Sequence, residues 1–544
     1  MRNWLVASAA CVGVSLLLHA AESEKVDLGV LHRIKSEAFA RNSKVMDTLF
    51  YLTDVYGPRL TGSPNITDAG NWAVKKMQEW GLANVKMEKW GPFGRGWAPT
   101  RFAAMMKEPE FQPIIGFAQP WSPGTNGPVT GQAVMAVISG PDDLDKFKGK
   151  LKGKIVLSAA MRQSQLSEEP LSRRLTDAEL DAAAMASDPA AGNPAALPLG
   201  FRRPTAPGAA PAAAAGRGGA GGGRGGANPR AFRAQLNKFL KDEGVLVVLT
   251  PGNGPDGGTI MGQAAGSQNP DEELPPPSVV ITNEHYNRIG RLLEKNLPVT
   301  LEFDIGAKFT DPADSFNLIA EIPGTDPNAG FVMIGGHFDS WTGGTGATDN
   351  AAGAAVAMEA MRILKALDLK MPRTVRLGLW TAEEQGLLGS RAYVKEHFAD
   401  PADMKPKAEH GKLSAYFNLD NGSGKVRGVY VQDNDQAFPI FQAWIAPLKD
   451  LGVTTLTLRN TGSTDHISFD SVGLPAFQFI QDPLEYGSRT HHSNMDVYDH
   501  LVAGDLEQSA AVMAWFVYNT ATRPDMIPRN PLPKPGAGRG GRGQ

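Results

Sequence analysis

Residues 331–349 read FVMIGGHFDSWTGGTGATD, and the order of residue types along them decides the fold. An apolar run, Val332, Met333 and Ile334, breaks at Gly335-Gly336, the pattern of a buried strand ending in a turn, and His337 and Asp339 follow there. A loop of glycines and threonines then leads to Asp349. Directly after it comes NAAGAAVAMEAMRILKAL, which has the length and residue preferences of a helix. A lone histidine at a strand end is more often a hydrogen-bonded core residue than a ligand. The reading therefore depends on what else arrives at the same place.

The alternation continues through residues 309–523. Strands are expected at FVMIGG, TVRLGLW, LSAYFNLD and PAFQFI, with helices over about 383–397, 438–451 and 501–520. This predicts an α/β fold, a mostly parallel twisted sheet covered by helices on both faces, with its site at the carboxyl ends of the strands. Reading the residues after each strand gives His337 and Asp339, Glu383 and Glu384, Asp420, and, through a loop, His491 and His492, with Asp349 beside them. Glu383-Glu384 at a helix start could serve only the helix dipole, and two histidines in a polar loop could be a surface feature. Carboxylates gathered at one sheet edge repel unless cations join them. Asp349, Asp420 and Glu384 bring three negative charges against the four positive charges of two divalent ions, so two metals fit better than one, with a hydroxide for the remainder.

Around this core the chain divides by composition. Residues 22–115 read as the first part of the catalytic domain, mostly helical, with Val45, Met46, Leu49, Leu52 and Val55 at helical spacing, a helix over 69–80 and a strand at VKMEKW. GPRLTGS, residues 57–63, reads as an ordered loop rather than a site. Residues 116–308 carry short β-rich pieces between turn residues and read as a separate inserted domain that shapes or covers the site. Within it, 181–230 contains PAAAAGRGGAGGGRGGANPR, which buries too little apolar surface to offset its chain entropy and is expected to be a disordered linker; the tail 524–544 reads likewise. Deletion of 205–228 is accordingly expected to leave turnover and melting temperature unchanged, as activity assays and thermal unfolding would measure.

Residues 1–21 have a basic start at Arg2, an apolar run over 5–18 and small residues Ala20-Ala21, the pattern of a cleaved signal peptide for export to the periplasm or outside the cell. The run is shorter than the roughly 20 residues a membrane span needs. The one cysteine, Cys11, lies inside it, which excludes disulfides, thiol catalysis and thiolate zinc sites in the exported chain and leaves His, Asp and Glu as ligands. At 544 residues, 42% hydrophobic and 20% charged, the chain can build more than one core, and a net charge of -3 offers nucleic acid no electrostatic attraction.

HFDSW with Asp349 beyond it, TAEEQG, FNLD, the stretch from GSTDHISF to GLPAFQF, and HHSNMD together resemble the co-catalytic di-zinc exopeptidases, family twenty-eight of the metallopeptidases. That family includes secreted aminopeptidases and plasma glutamate carboxypeptidase-like enzymes. The region 116–308 is similar to the protease-associated domain of many members. The resemblance implies a zinc-exopeptidase, phosphorylase/hydrolase-like fold and two Zn2+ ions. His337 and Asp420 would hold one, Glu384 and His492 the other, with Asp349 as bridge. It further implies Glu383 as general base toward a metal-bridging water, Asp339 orienting the ring of His337, and a cis peptide at Asp349-Asn350. Many relatives have a tyrosine directly before the last histidine, where this chain has His491, with Tyr486 a few residues earlier. Oxyanion and substrate contacts therefore fall among His491, Tyr486, His466 and Asp465. The implied substrate is a peptide losing a terminal residue. An aminopeptidase comes first because carboxylates attract a free ammonium, with dipeptidase and carboxypeptidase action open. A single-zinc glutaminyl-cyclase-like acyltransferase shares much of the constellation, but chain length and the β-rich region argue against it. The complete ligand set argues against a non-catalytic receptor-type relative. These motifs carry no signal of oligomeric state.

Overall fold

The computed structural model describes residues 24–39, 43–163, 168–186 and 229–535. Residues 1–21, read above as a signal peptide, most of the glycine- and arginine-rich stretch (187–228) and residues 536–544 lie outside the described residues. Fourteen strands among the described residues join in one sheet: β1 (Ala83–Glu108), β2 (Gln112–Pro113), β3 (Gly116–Ala118), β4 (Val129–Met135), β5 (Lys154–Leu157), β6 (Val247–Pro251), β7 (Ser278–Ile281), β8 (Thr300–Ile322), β9 (Phe331–His337), β10 (Thr374–Trp380), β11 (Leu413–Asn418), β12 (Val426–Tyr430), β13 (Thr455–Thr457) and β14 (Ala476–Gln481).

The strands quoted from the sequence form the platform of the site. β10, β9, β11 and β14 are neighbours in that order and run parallel, with β8 antiparallel beside β10 and β12 antiparallel beside β14. Every residue of β9 is buried, because helices cover both faces. Alternate side chains of one strand point to opposite faces. Val332 and Ile334 accordingly join the core under helices Ala352–Ala366 and Ala503–Thr522, while Phe331 and Met333 join a second cluster with Trp380, Tyr393, Phe398, Tyr416 and Phe469. Helix Ala352–Ala366 comes close to the end of β11 because Gly353 has no side chain there: a Cβ would stand 2.1 Å from the Leu419 carbonyl oxygen. Mixed, mostly parallel and helix-flanked, the sheet is the one the alternation predicts. No helix among the described residues is long and apolar enough to cross a membrane.

A further core, built on Phe93, Trp97, Trp121, Leu157, Leu249, Ile281 and Phe303, lies in the region between β1 and β8. It begins before Gly116, since Phe93, Trp97, Ala104, Met106 and Ile114 already belong to it. The cause is β1, which pairs along its length with β8 and runs as one strand from one core into the next. The strand read at VKMEKW, residues 85–90, is present, and it runs on to Glu108, so residues 91–108 are extended where a mostly helical segment was expected. Bulges between Trp90 and Gly94 and between Gly94 and Gly96 interrupt the alternation that would have announced them.

Three other expectations are corrected. The helix read over 69–80 starts at Pro64, because Ser63 caps it by accepting from the Ile66 N–H at 3.4 Å and Pro64 suits a first helical turn. Residues 181–184, read as disordered, close helix Asp177–Ala184, which Thr176 and Glu179 hold with a capping box, and residues 229–242 are helical too. The stretch 524–535, read as a disordered tail, packs on the main core: Ile527 is buried in it, the Pro528 carbonyl accepts from Asn434 at 2.7 Å, and Arg529 donates to the His410 carbonyl at 2.9 Å.

Candidate active site

The ends of four parallel strands bring the expected residues together. β9 ends on His337; the next turn carries Asp339, and the loop beyond returns Asp349 to the same place. His337 Nε2 stands 3.1 Å from Asp349 Oδ1 and 3.4 Å from Asp420 Oδ1. On the other side of Asp349, Oδ2 stands 3.2 Å from His492 Nε2, which is itself 2.9 Å from Glu384 Oε2. One carboxylate therefore faces two separate groups of ligand-type atoms. His491 is also close, its Nε2 3.7 Å from Asp349 Oδ2 and its ring stacked on that of His492 at 3.8 Å.

Glu383 and Glu384 do not begin a helix, as the sequence suggested. They sit in a tight turn after β10, in which Gly386 and Leu387 donate to the Glu383 carbonyl, and the helix starts later, at Leu388. Ala382 and Leu387 have φ of 55 and 61, so the turn is held by its surroundings rather than by preference. A favourable interaction with the helix dipole therefore does not account for the pair. Asp339 links the loops: its Oδ1 accepts the Glu383 N–H at 3.2 Å, while His337 Nδ1 lies 3.1 Å from its backbone oxygen and 3.6 Å from Oδ1. The Asp349-Asn350 peptide is cis.

The electrostatics fit cations. Full burial of His337 would favour its neutral ring, but Asp420, Glu383, Asp339 and Asp349 outweigh it and hold the imidazole well above its usual range. Asp349 is held far below the carboxylate range against its burial by the three histidines around it. The Oδ2 of Asp339 is buried without a hydrogen-bond donor. The atoms of His337, Asp349 and Asp420, and those of Asp349, His491 and His492, each lie within 4.8 Å of one another. Imidazole nitrogens and carboxylate oxygens without thiolates are a donor set that suits zinc.

The other expected residues divide. Tyr486 is at the site, its hydroxyl 3.4 Å from Asp420 Oδ1 and its ring 4.9 Å from that of His491. Burial, then Asp349, Asp420 and Glu384, keep it protonated far above the usual phenol range. Asp465 is fully buried and pushed up to about 7 by that burial, against the pull of His337 and with Asp420 and Asp339 adding to the rise. His466 begins a short helix, with Nε2 3.1 Å from the Thr461 carbonyl oxygen of its own loop.

Two supports were not read from the sequence. Arg59, within the segment taken as an ordered loop, is fully buried and donates to four carbonyls: Phe338 at 2.8 Å, Leu52 at 2.6 Å, Thr345 at 3.0 Å and Gly346 at 2.9 Å. It clamps the two ends of the loop between His337 and Asp349. Burial lowers it to about 10, with Asp496, Asp339 and Asp349 opposing, so it stays charged at neutral pH beside the carboxylates. Asp496 holds the same loop by accepting from the N–H and hydroxyl of Thr348 at 2.5 and 2.9 Å. Arg59→Met takes the Arg59 donor from the carbonyls of Leu52, Phe338 and Thr345, at about 1–3 kcal/mol each when nothing replaces it, while the Gly346 carbonyl keeps the Ala351 N–H at 3.0 Å. The expected loss in urea unfolding is at least about 3 kcal/mol, and Arg59→Lys, with one nitrogen, recovers only part.

Residues 317–517 match the profile of Peptidase family M28. The chain is similar to Carboxypeptidase Q of Pongo abelii, at 25% identity over 509 residues, covering 93% of this chain and 89% of that one. Among solved structures it is similar to a Peptidase M28 precursor from Shewanella amazonensis, with 24% identity and a TM-score of 0.63, covering 93% of this chain and 98% of that one. A zinc aminopeptidase from Bacillus subtilis has 19% identity and a TM-score of 0.52, with 88% of this chain and 94% of that one covered. The structural likenesses show a shared fold over nearly all of the chain.

Proposed function

We propose, since this chain belongs to Peptidase family M28 and is a hydrolase, that it is an exported exopeptidase holding two zinc ions, and that it acts as an aminopeptidase. The observation that carries this is Asp349, with Oδ1 3.1 Å from His337 and Oδ2 3.2 Å from His492. His337, Asp420 and Oδ1 would hold one ion; His492, Glu384 and Oδ2 the other. Glu384 takes precedence over His491 because its side chain is 2% exposed against 26%, and a carboxylate buried to that degree needs a cation more than a half-exposed ring does. When bound, the ions supply Lewis acidity toward the scissile carbonyl and make a water molecule more acidic.

The side chains supply the remainder. Glu383 is buried, and its backbone is fixed to Asp339, which in turn fixes His337. It takes the proton of the attacking water and returns it to the leaving amine. Tyr486, kept protonated, can donate to the oxyanion, and His491 beside it is the second candidate. The surplus of carboxylates favours a substrate with a free ammonium at its end. Likeness over nearly the whole length to Carboxypeptidase Q supports a second reading, release of a carboxy-terminal residue, and dipeptidase action is the third. The apolar run over 5–18 with its small-residue end supports export.

Digestion of a peptide library by zinc-loaded protein, read by mass spectrometry, decides among the three. Ladders shortened from the amino end are the expected result. Shortening from the carboxyl end, or cleavage of dipeptides alone, would replace the aminopeptidase reading, and an uncut library would reject all three.

A further inference from the structure

We propose that Gln263 is the positioning residue for His492, so that the region between β1 and β8 completes the ligand-bearing face of the site rather than only covering it; this rests on the two-zinc reading above. Segment 260–263 lies in the loop between β6 and β7 and pairs with the loop that carries His492. The Ile260 N–H donates to Asn494 Oδ1 at 2.7 Å and the Asn494 N–H donates to the Ile260 carbonyl at 3.1 Å. Gly262 donates to the His492 carbonyl at 3.2 Å, and Met261 and Ser493 form an antiparallel bridge between them. These bonds hold His492 at a φ of 57, a left-handed conformation that a non-glycine residue keeps only where its surroundings dictate it.

The side chain of Gln263 then reaches the ring itself. Its Nε2 lies 3.3 Å from His492 Nδ1, and its backbone oxygen is fixed by Gln119 Nε2 at 2.8 Å. The edge of Trp341 packs against the same imidazole at 6.1 Å between centroids, and Trp121 packs edge-on to Trp341 at 6.3 Å. Residues from 119–121 and 260–263 thus enclose a ring that the catalytic sheet alone would leave open on one side. His337 has no such need: the oxygen facing its Nδ1 comes from Asp339, two residues away.

A carboxamide suits this position in both states of the ring. With Nε2 facing the oxygens of Glu384 and Asp349, the proton sits on Nε2 and Nδ1 accepts from the amide of Gln263. A cation on the Nε2 side takes that nitrogen's lone pair, so the proton moves to Nδ1. A half-turn of the carboxamide then presents Oε1 to receive it. A carboxylate serves only the second state, and an apolar side chain serves neither.

Full-length Gln263→Met and Gln263→Glu, compared with wild type, test this by zinc titration against a chromophoric chelator, with thermal unfolding alongside. Methionine keeps the unbranched shape of a half-buried side chain, so the fold and its melting temperature are retained. The expected result is that Gln263→Met binds one of its two zincs about 10- to 100-fold more weakly, the other unchanged. Gln263→Glu binds both at least as tightly as wild type. Wild-type affinity for both zincs in Gln263→Met overturns the proposal, as does equal weakening in both variants, which marks a packing role. A wild-type protein that binds no zinc overturns the two-zinc reading itself, and this proposal with it.

Discussion

Glu383→Gln is expected to lower kcat about 10²- to 10⁴-fold, the usual contribution of a positioned general base, with little change in KM and two zincs still bound. Glutamine keeps the size and polarity of the side chain and removes its basicity. The backbone bond from Glu383 to Asp339 is untouched, so the turn after β10 and the orientation of His337 persist. Glu384→Gln next to it is expected to behave differently, losing zinc and activity together, because Glu384 Oε2 is the atom 2.9 Å from His492 Nε2. Steady-state kinetics with metal analysis on the same samples separates the two. Near-normal turnover in Glu383→Gln, or zinc loss confined to it, would show that the roles of the two glutamates are wrongly assigned.

Asp349→Asn is expected to have the largest effect on metal binding of any single change. Each oxygen of Asp349 faces a different group, so the amide withdraws a charged oxygen from one group and offers an NH₂ to it, while the other keeps a weaker carbonyl ligand. Affinity should fall more than the roughly 10- to 100-fold typical of an outer-shell loss, and turnover should reach background. The variant should also show what the metals compensate. Without them His337 stands among Asp420, Glu383 and Asp339, and removing the charge of Asp349 lessens the attraction that holds that ring protonated. Zinc titration and turnover measured on one preparation check both statements.

Chain order alone makes much of the site legible in the sequence. Parallel strands share an end, so His337, Glu383, Glu384 and Asp420 could be placed together from their positions after apolar runs, without knowing any distance. The role of Asp349 as the shared carboxylate was implied by family resemblance; its two oxygens lie 3.1 Å from His337 and 3.2 Å from His492. Arg59 and Gln263 were not legible, because nothing local marks them. Arg59 lies among turn formers, and the carbonyls of Phe338, Thr345 and Gly346 that it binds are 279, 286 and 287 residues away; Gln263 lies 229 residues from His492. Their contacts arise only when the regions before and after β8 close on the same loops. The misread elements have local causes: bulges hid the continuation of β1 beyond Trp90, the serine-proline start of helix Pro64–Glu79 read as a turn, and a proline-rich stretch after Arg523 hid the anchoring by Ile527 and Arg529.

The most direct test of the two-metal account is zinc per chain by plasma mass spectrometry after desalting, in wild type, His492→Ala and His491→Ala. The account predicts two zincs in wild type, one in His492→Ala, where His337, Asp420 and Asp349 still form a site, and two in His491→Ala. A single zinc in active wild-type protein would contradict it, as would one zinc in His491→Ala with two in His492→Ala.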